Sequence, residues 1–226
     1  MRILFALLRV AVAVAIIAAI VGQLQTSLAY WASRDQPVDV ATHITHFFSF
    51  FTIESNILSA VVLLIGAVYL VTRKGEDPQW YNTLRAATVT YMVVTGIVYN
   101  LLLRGVELPQ GATLAWSNEV LHVVACAWLL LDWILVPGRS PIAAKNIWKI
   151  LVFPIVWVIY TLVRGPLVAD TVYGSDYWYP YPFLNPNTSA EGYFTVAFFV
   201  LLIAVAIGSV AAGVLWISRR RALISA

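Results

Sequence analysis

Six stretches of this chain, roughly 3–24, 47–71, 86–103, 113–136, 148–165 and 192–217, are apolar over a length that crosses a bilayer. That leaves few folds open to it. About 20 apolar residues in helical form cover the ~30 Å hydrocarbon core of a membrane. Within that core each backbone N–H and C=O must find its partner inside the protein, so only helices or closed barrels span it. Long continuous apolar runs, rather than alternating ones, select helices. The expected fold is all-α: a polytopic bundle of six transmembrane helices in one integral membrane domain, residues 1–226. Composition agrees, with 61% hydrophobic and 11% charged residues, against about 25% charged in soluble domains. The start, Met1-Arg2 and an apolar run, has the look of a signal peptide. Arg9 interrupts the run and no small-residue cleavage site follows it, so an uncleaved helix is expected.

Basic residues orient such a bundle, because cytoplasmic loops are enriched in Lys and Arg. With the N-terminus inside, ten fall on the inner side: Arg2, Arg73, Lys74, Arg85, Arg139, Lys145, Lys149, Arg219, Arg220 and Arg221. Three, Arg34, Arg104 and Arg164, fall outside. Both termini are thus expected in the cytoplasm, as for a multi-pass integral membrane protein. The net charge of +3 is accounted for by this bias, and no nucleic-acid partner is implied. The longest outer loop, about 166–191, holds "DYWYPYPFLNP". Its prolines prevent a regular helix. Its aromatics suit either a membrane-interface anchor or a lid over an outward-facing pocket.

One cysteine and three histidines leave no disulfide framework and no four-Cys metal site. No metal and no cofactor are expected. A bis-His haem would need His43 or His46 to reach His122 from the outer loop. A retinal Schiff base lacks its lysine, since Lys74, Lys145 and Lys149 lie in inner loops.

Polar groups inside spans are costly and mark candidate sites. On the second span Ser49, Thr52, Asn56 and Ser59 recur at helical spacing and form one stripe. Thr52 lies about five residues, ~8 Å, below the outer end of its span, and His122 about nine residues, ~14 Å, below the outer end of the fourth. The two can share the outer half of the bundle. Asn118 and Glu119 lie one helical turn before His122. Asn100 ends the third span near Arg104; Tyr160 and Arg164 end the fifth. Arg9 and Asp132 both fall in the inner half and can neutralise each other. Ser and Asn in such stripes also serve as interhelical glue. "SNIL" (55–58) against "SNEVL" (117–121), and "YNLLLRG" (99–105) against "YTLVRG" (160–165), suggest a duplicated hairpin.

A threonine hydroxyl needs a base and a dry site with donors for a developing oxyanion. Neutral His122 is a fitting base. Asn56, Asn118 and Ser55 are candidate oxyanion donors, and Glu119 is a candidate to orient the imidazole. Arg104 and Arg164, with Asn100 and Tyr160, are candidate substrate-binding residues, since Arg pairs well with a carboxylate. A site at this depth suits a lipid or fatty-acyl ester arriving from the bilayer.

The segments "FFSFFTIESNILSAVVLL" (47–64), "SNEVLHVVACAWLLLDWIL" (117–135), "VFPIVWVIYTLVRG" (152–165) and "WYPYPFLNP" (178–186) resemble the androgen-induced protein family of membrane proteins, in its bacterial branch. The resemblance covers about residues 45–217. It implies a multi-pass threonine hydrolase of fatty acid esters of hydroxy fatty acids, with Thr52 as nucleophile and His122 as its partner. The "ESN" that follows Thr52 departs from the animal hydrolases, so the site is implied more firmly than the substrate. The competing expectation is a small-solute transporter or a non-catalytic membrane protein, for which six spans and a repeat also suffice.

Overall fold

All six apolar stretches are helical in a computed structural model of the chain, which describes residues 1–106 and 111–220. Arg221, counted above with the inner charges, lies outside them. In chain order the helices are α1 (Arg2–Ala32), α2 (Val40–Phe48), α3 (Phe51–Thr72) and α4 (Gln79–Val98), the last prolonged by a π turn at Tyr99–Leu103. Helix α5 (Ala115–Glu119) runs through a second π turn, Val120–Val124, into α6 (Ala125–Leu135). Helices α7 (Ile147–Arg164) and α8 (Tyr193–Ser218) complete the bundle. No β-strand occurs among the described residues. The chain is an all-α protein with six helices long and apolar enough to span a membrane.

Helix α8 shows why a bilayer is needed. Phe194, Phe198, Leu201, Leu202 and Val205 are all exposed on it. A stripe of that size in water would drive aggregation; lipid covers it without cost. Arg2 donates to the Leu70 carbonyl at 3.0 Å, and Arg139 to that of Arg220 at 3.0 Å. Arg2 and Arg220 therefore lie at the face of the bundle that carries the basic turns. The 168–192 segment lies at the opposite face.

Three boundaries differ from the sequence reading, each for a physical reason. Helix α3 starts at Phe51 rather than 47, because Ser49 and Phe50 break away from a short separate helix, α2. Asp39 caps α2 by accepting from the Thr42 N–H at 3.2 Å. Thr52 is therefore the second residue of its helix, not more than a turn inside it. Helix α4 starts at Gln79 rather than 86 and takes in Arg85, a charge that is 1% exposed. Its cost is offset by Asp132: Arg85 Nη2 reaches Oδ2 at 2.7 Å, while Arg9 holds the same carboxylate at 2.8 and 3.0 Å. Helix α1 continues to Ala32, where Gln23 and Ser27 are buried and hydrogen-bonded to each other at 3.2 Å.

Helix α7 carries Pro154 in its interior. Proline has no N–H, so the carbonyl four residues earlier is left open. That carbonyl, of Ile150, accepts from the Tyr91 hydroxyl at 2.6 Å. The 168–192 segment folds back onto the bundle, burying Trp178, Tyr179, Tyr181 and Leu184. Its seat is Gly165, whose carbonyl accepts from the Trp178 N–H at 2.9 Å. A β-carbon at Gly165 would strike the Tyr179 ring. The proposed repeat partners do not share surroundings: Tyr99 is buried, whereas Tyr160 is 39% exposed.

Candidate functional site

Thr52 and His122 meet. Oγ1 of Thr52 stands 3.2 Å from Nε2 of His122, between the N-terminus of α3 and the π turn of α5–α6. On the far side of the ring, Nδ1 of His122 lies 2.9 Å from the Asn118 main-chain carbonyl. A carbonyl can only accept, so Nδ1 carries the proton in the neutral ring and Nε2 presents its lone pair to the Thr52 hydroxyl. Tyr99 stacks on the imidazole face, with ring centroids 4.1 Å apart. Its hydroxyl accepts from the Asn118 amide at 2.6 Å.

The π turn contributes to this placement. In an α-helix the Ala125 N–H would bond the Leu121 carbonyl; here it bonds Val120 instead. The Leu121 carbonyl is thereby released, and Asn56 Nδ2 of α3 takes it at 3.1 Å. The same nitrogen donates to the Thr52 carbonyl at 2.9 Å. Asn56 thus ties the backbone of the threonine to the turn that carries the histidine. Nearby, Gly96 lets α4 approach that turn: a β-carbon there would lie 3.1 Å from Cβ of Cys126 and 3.3 Å from the His122 carbonyl.

A third side chain completes the cluster, and the sequence reading had not placed it at the site. The Tyr181 hydroxyl is 3.3 Å from Thr52 Oγ1 and accepts from the Thr52 N–H at 3.3 Å. That N–H belongs to the first turn of α3, where no helical carbonyl is available to it. Burial pushes the Tyr181 phenol up to about 12, so the group keeps its proton. With the Thr52 proton directed at His122, Tyr181 is the donor to Thr52 Oγ1. One directed chain results: Thr52 N–H to Tyr181, Tyr181 O–H to Thr52, Thr52 O–H to His122, His122 N–H to Asn118. The only hint in the sequence was the aromatic, proline-rich loop. In the structure Tyr181 of that loop is buried against Thr52.

The other candidates sort by distance from this cluster. Asn118 belongs to it, through its carbonyl and its amide. Ser55 is fully buried and donates back to the Phe51 carbonyl, within its own helix. Glu119 forms an exposed two-point pair with Arg104, at 2.8 and 3.1 Å, in place of a bond to His122. Asn100 accepts from that same Arg104 at 3.0 Å. Tyr160 bonds Ser49 at 2.9 Å, and Arg164 lies over the rings of Tyr160 and Trp178.

Thr52, His122 and Tyr181 open onto a cavity of about 230 Å³. Its walls are otherwise almost wholly apolar, drawn from α4, α7, α8 and the folded-back segment. Along α8 it is lined from Val200 to Ile207, seven residues or ~10 Å. Ile155 of α7 lines it and is 52% exposed, so the apolar wall reaches a side chain on the outside of the bundle. Among the described residues no group of three or more His, Cys, Asp or Glu side chains is placed to hold a metal. Comparison with protein-family models, curated proteins and solved structures finds no match for this chain.

Proposed function

We propose that the chain is an intramembrane carboxylic ester hydrolase with Thr52 as nucleophile and His122 as general base. The observation that carries this reading is the 3.2 Å approach of Thr52 Oγ1 to the unprotonated His122 nitrogen at the wall of a long apolar cavity. A long-chain acyl ester enters from the bilayer between α7 and α8, its hydrocarbon in the cavity and its carbonyl at Thr52. Oγ1 attacks the carbonyl carbon as His122 Nε2 takes the hydroxyl proton. The oxyanion is met by the Tyr181 hydroxyl at the N-terminus of α3, where the helix dipole also favours negative charge. His122 then protonates the departing alcohol, leaving acyl-Thr52, which water hydrolyses. The Asn118 carbonyl holds the ring in the tautomer that this sequence of steps requires. The apolar lining of the cavity supports a long-chain acyl ester as the substrate class. Its narrowing to fatty acid esters of hydroxy fatty acids rests on the likeness to the androgen-induced protein family, as does placement in a bacterial inner membrane; the basic face is assigned to the cytoplasm by the bias of Lys and Arg.

The test uses detergent-purified protein and p-nitrophenyl esters of long-chain acids. Thr52→Ala and His122→Ala should each abolish turnover while eluting as folded protein. A fluorophosphonate should label the wild type and spare Thr52→Ala. Full activity in either variant would remove the mechanism.

A further inference from the structure

Behind the Thr52–His122 pair, on the side away from the apolar cavity, lies a second chamber of about 40 Å³. Both chambers touch Thr52, His122 and Tyr181, so the reacting pair forms part of the wall between them. Their linings differ in kind. Six of the ten residues around the smaller one are polar: Gln23, Thr52, Ser117, Asn118, His122 and Tyr181.

A water molecule needs about 10–15 Å³ and two to four polar partners, so this chamber has room for water beside polar side chains. Gln23 is held in place by three bonds: its Nε2 donates to Ser27 and to the Ala112 carbonyl, and its Oε1 accepts from the Leu114 N–H at 2.9 Å. Ser117 donates to the Ala19 carbonyl at 2.7 Å, which leaves its oxygen free to accept. The groups are fixed, and their residues line a space that no side chain fills.

We infer that this small chamber is the water site for deacylation, a deduction that rests on the acyl-threonine reading above. The hydrocarbon of the acyl group occupies the large cavity once Thr52 is acylated and closes that route to water. From the small chamber a water oxygen attacks the acyl carbon as His122 Nε2 takes one of its protons. The carbon–Oγ1 bond then breaks, Thr52 Oγ1 recovers the proton from His122, and the fatty acid leaves. Acyl donor and water thus reach the pair from opposite sides, and the chamber's size selects the acceptor.

The experiment has two arms. Ile53 lines only the smaller chamber, and Ile53→Phe fills it; Gln23→Leu strips its polar wall. Both variants should still release a burst of p-nitrophenol, then turn over at least tenfold more slowly, with acyl-Thr52 visible in the intact mass. A burst followed by wild-type turnover would overturn the proposal. The second arm needs only wild-type protein and added alcohols. Methanol should be converted to methyl ester, and butan-1-ol should yield no butyl ester. Butyl ester formed as readily as methyl ester would show that the acceptor arrives through the large cavity and would overturn the proposal. Absence of any acyl-Thr52, with hydrolysis retained in Thr52→Ala, would instead defeat the parent reading.

Discussion

Asn56 and Leu121 are 65 residues apart in sequence, and the Asn56 amide nitrogen lies 3.1 Å from the Leu121 carbonyl oxygen. This is a side-chain bond to a carbonyl that a π turn has released, and it fixes the distance between two helices at the point where Thr52 faces His122. Asn56→Ala leaves that carbonyl and the Thr52 carbonyl without their shared donor. Placement errors of about 1 Å cost on the order of 100-fold in rate. Asn56→Ala is therefore expected to lower kcat by about that factor and leave KM nearly unchanged, as steady-state kinetics would show. An unchanged kcat would remove the clamp from the account.

Tyr181→Phe removes one hydroxyl and keeps the ring that packs against Phe50 and Phe183. If the phenol donates to the oxyanion, kcat should drop by ~100-fold or more, with the melting temperature barely moved. A fall in melting temperature with kcat preserved would make Tyr181 a packing residue only.

Asp132 neutralises Arg9 and Arg85 in the opposite half of the bundle, remote from the site. Asp132→Ala leaves buried Arg9 without a carboxylate and Arg85 with only Asp77, at 3.6 Å, and breaking such a buried pair costs about 3–5 kcal/mol. The protein should lose most of its folded yield in detergent. Arg9→Leu and Arg85→Leu introduced together with Asp132→Leu should recover much of that yield. Normal thermal stability in Asp132→Ala would contradict the network's role.

His46 of α2 lies stacked on Trp178, ring centroids 4.2 Å apart, three residues before Tyr181. Burial, with Arg164 and His43 adding repulsion and Asp39 opposing, brings His46 down to about 3 from its usual 6.5. Burial also lowers His43, against the pull of Asp170 and Asp39. A folded-state value below the unfolded one means that stability is complete above about pH 6.5 and is lost as pH falls toward 3. Melting temperature should decline below pH 6.5, and His46→Phe should flatten that decline. A wild-type melting temperature independent of pH down to 4 would show that these rings are not buried neutral.

The fold was legible because the bilayer demands long apolar runs, and those runs survive in the sequence as hydropathy. The pairing of Arg9 with Asp132 was legible for a related reason: two opposite charges at similar depth have few other ways to be neutralised. The start of α4 was not, because Arg85 reads as a loop charge until its partner is known. Thr52 and His122 stood out as polar groups within apolar helices. Tyr181 did not, since an aromatic among prolines reads equally as a membrane anchor and its contact with Thr52 spans 129 residues of chain. The orienting group for His122 was sought among side chains, where Glu119 had the right spacing. The structure uses a main-chain carbonyl, which no sequence pattern distinguishes from its neighbours.

The central claim is that the Thr52 oxygen becomes covalently acylated. The most direct measurement is intact and peptide mass spectrometry of protein quenched with acid during turnover of a long-chain ester. The account predicts an added acyl mass on the peptide containing Thr52, absent from Thr52→Ala and His122→Ala. An acyl mass on another residue, or undiminished hydrolysis by Thr52→Ala with no adduct anywhere, would contradict it.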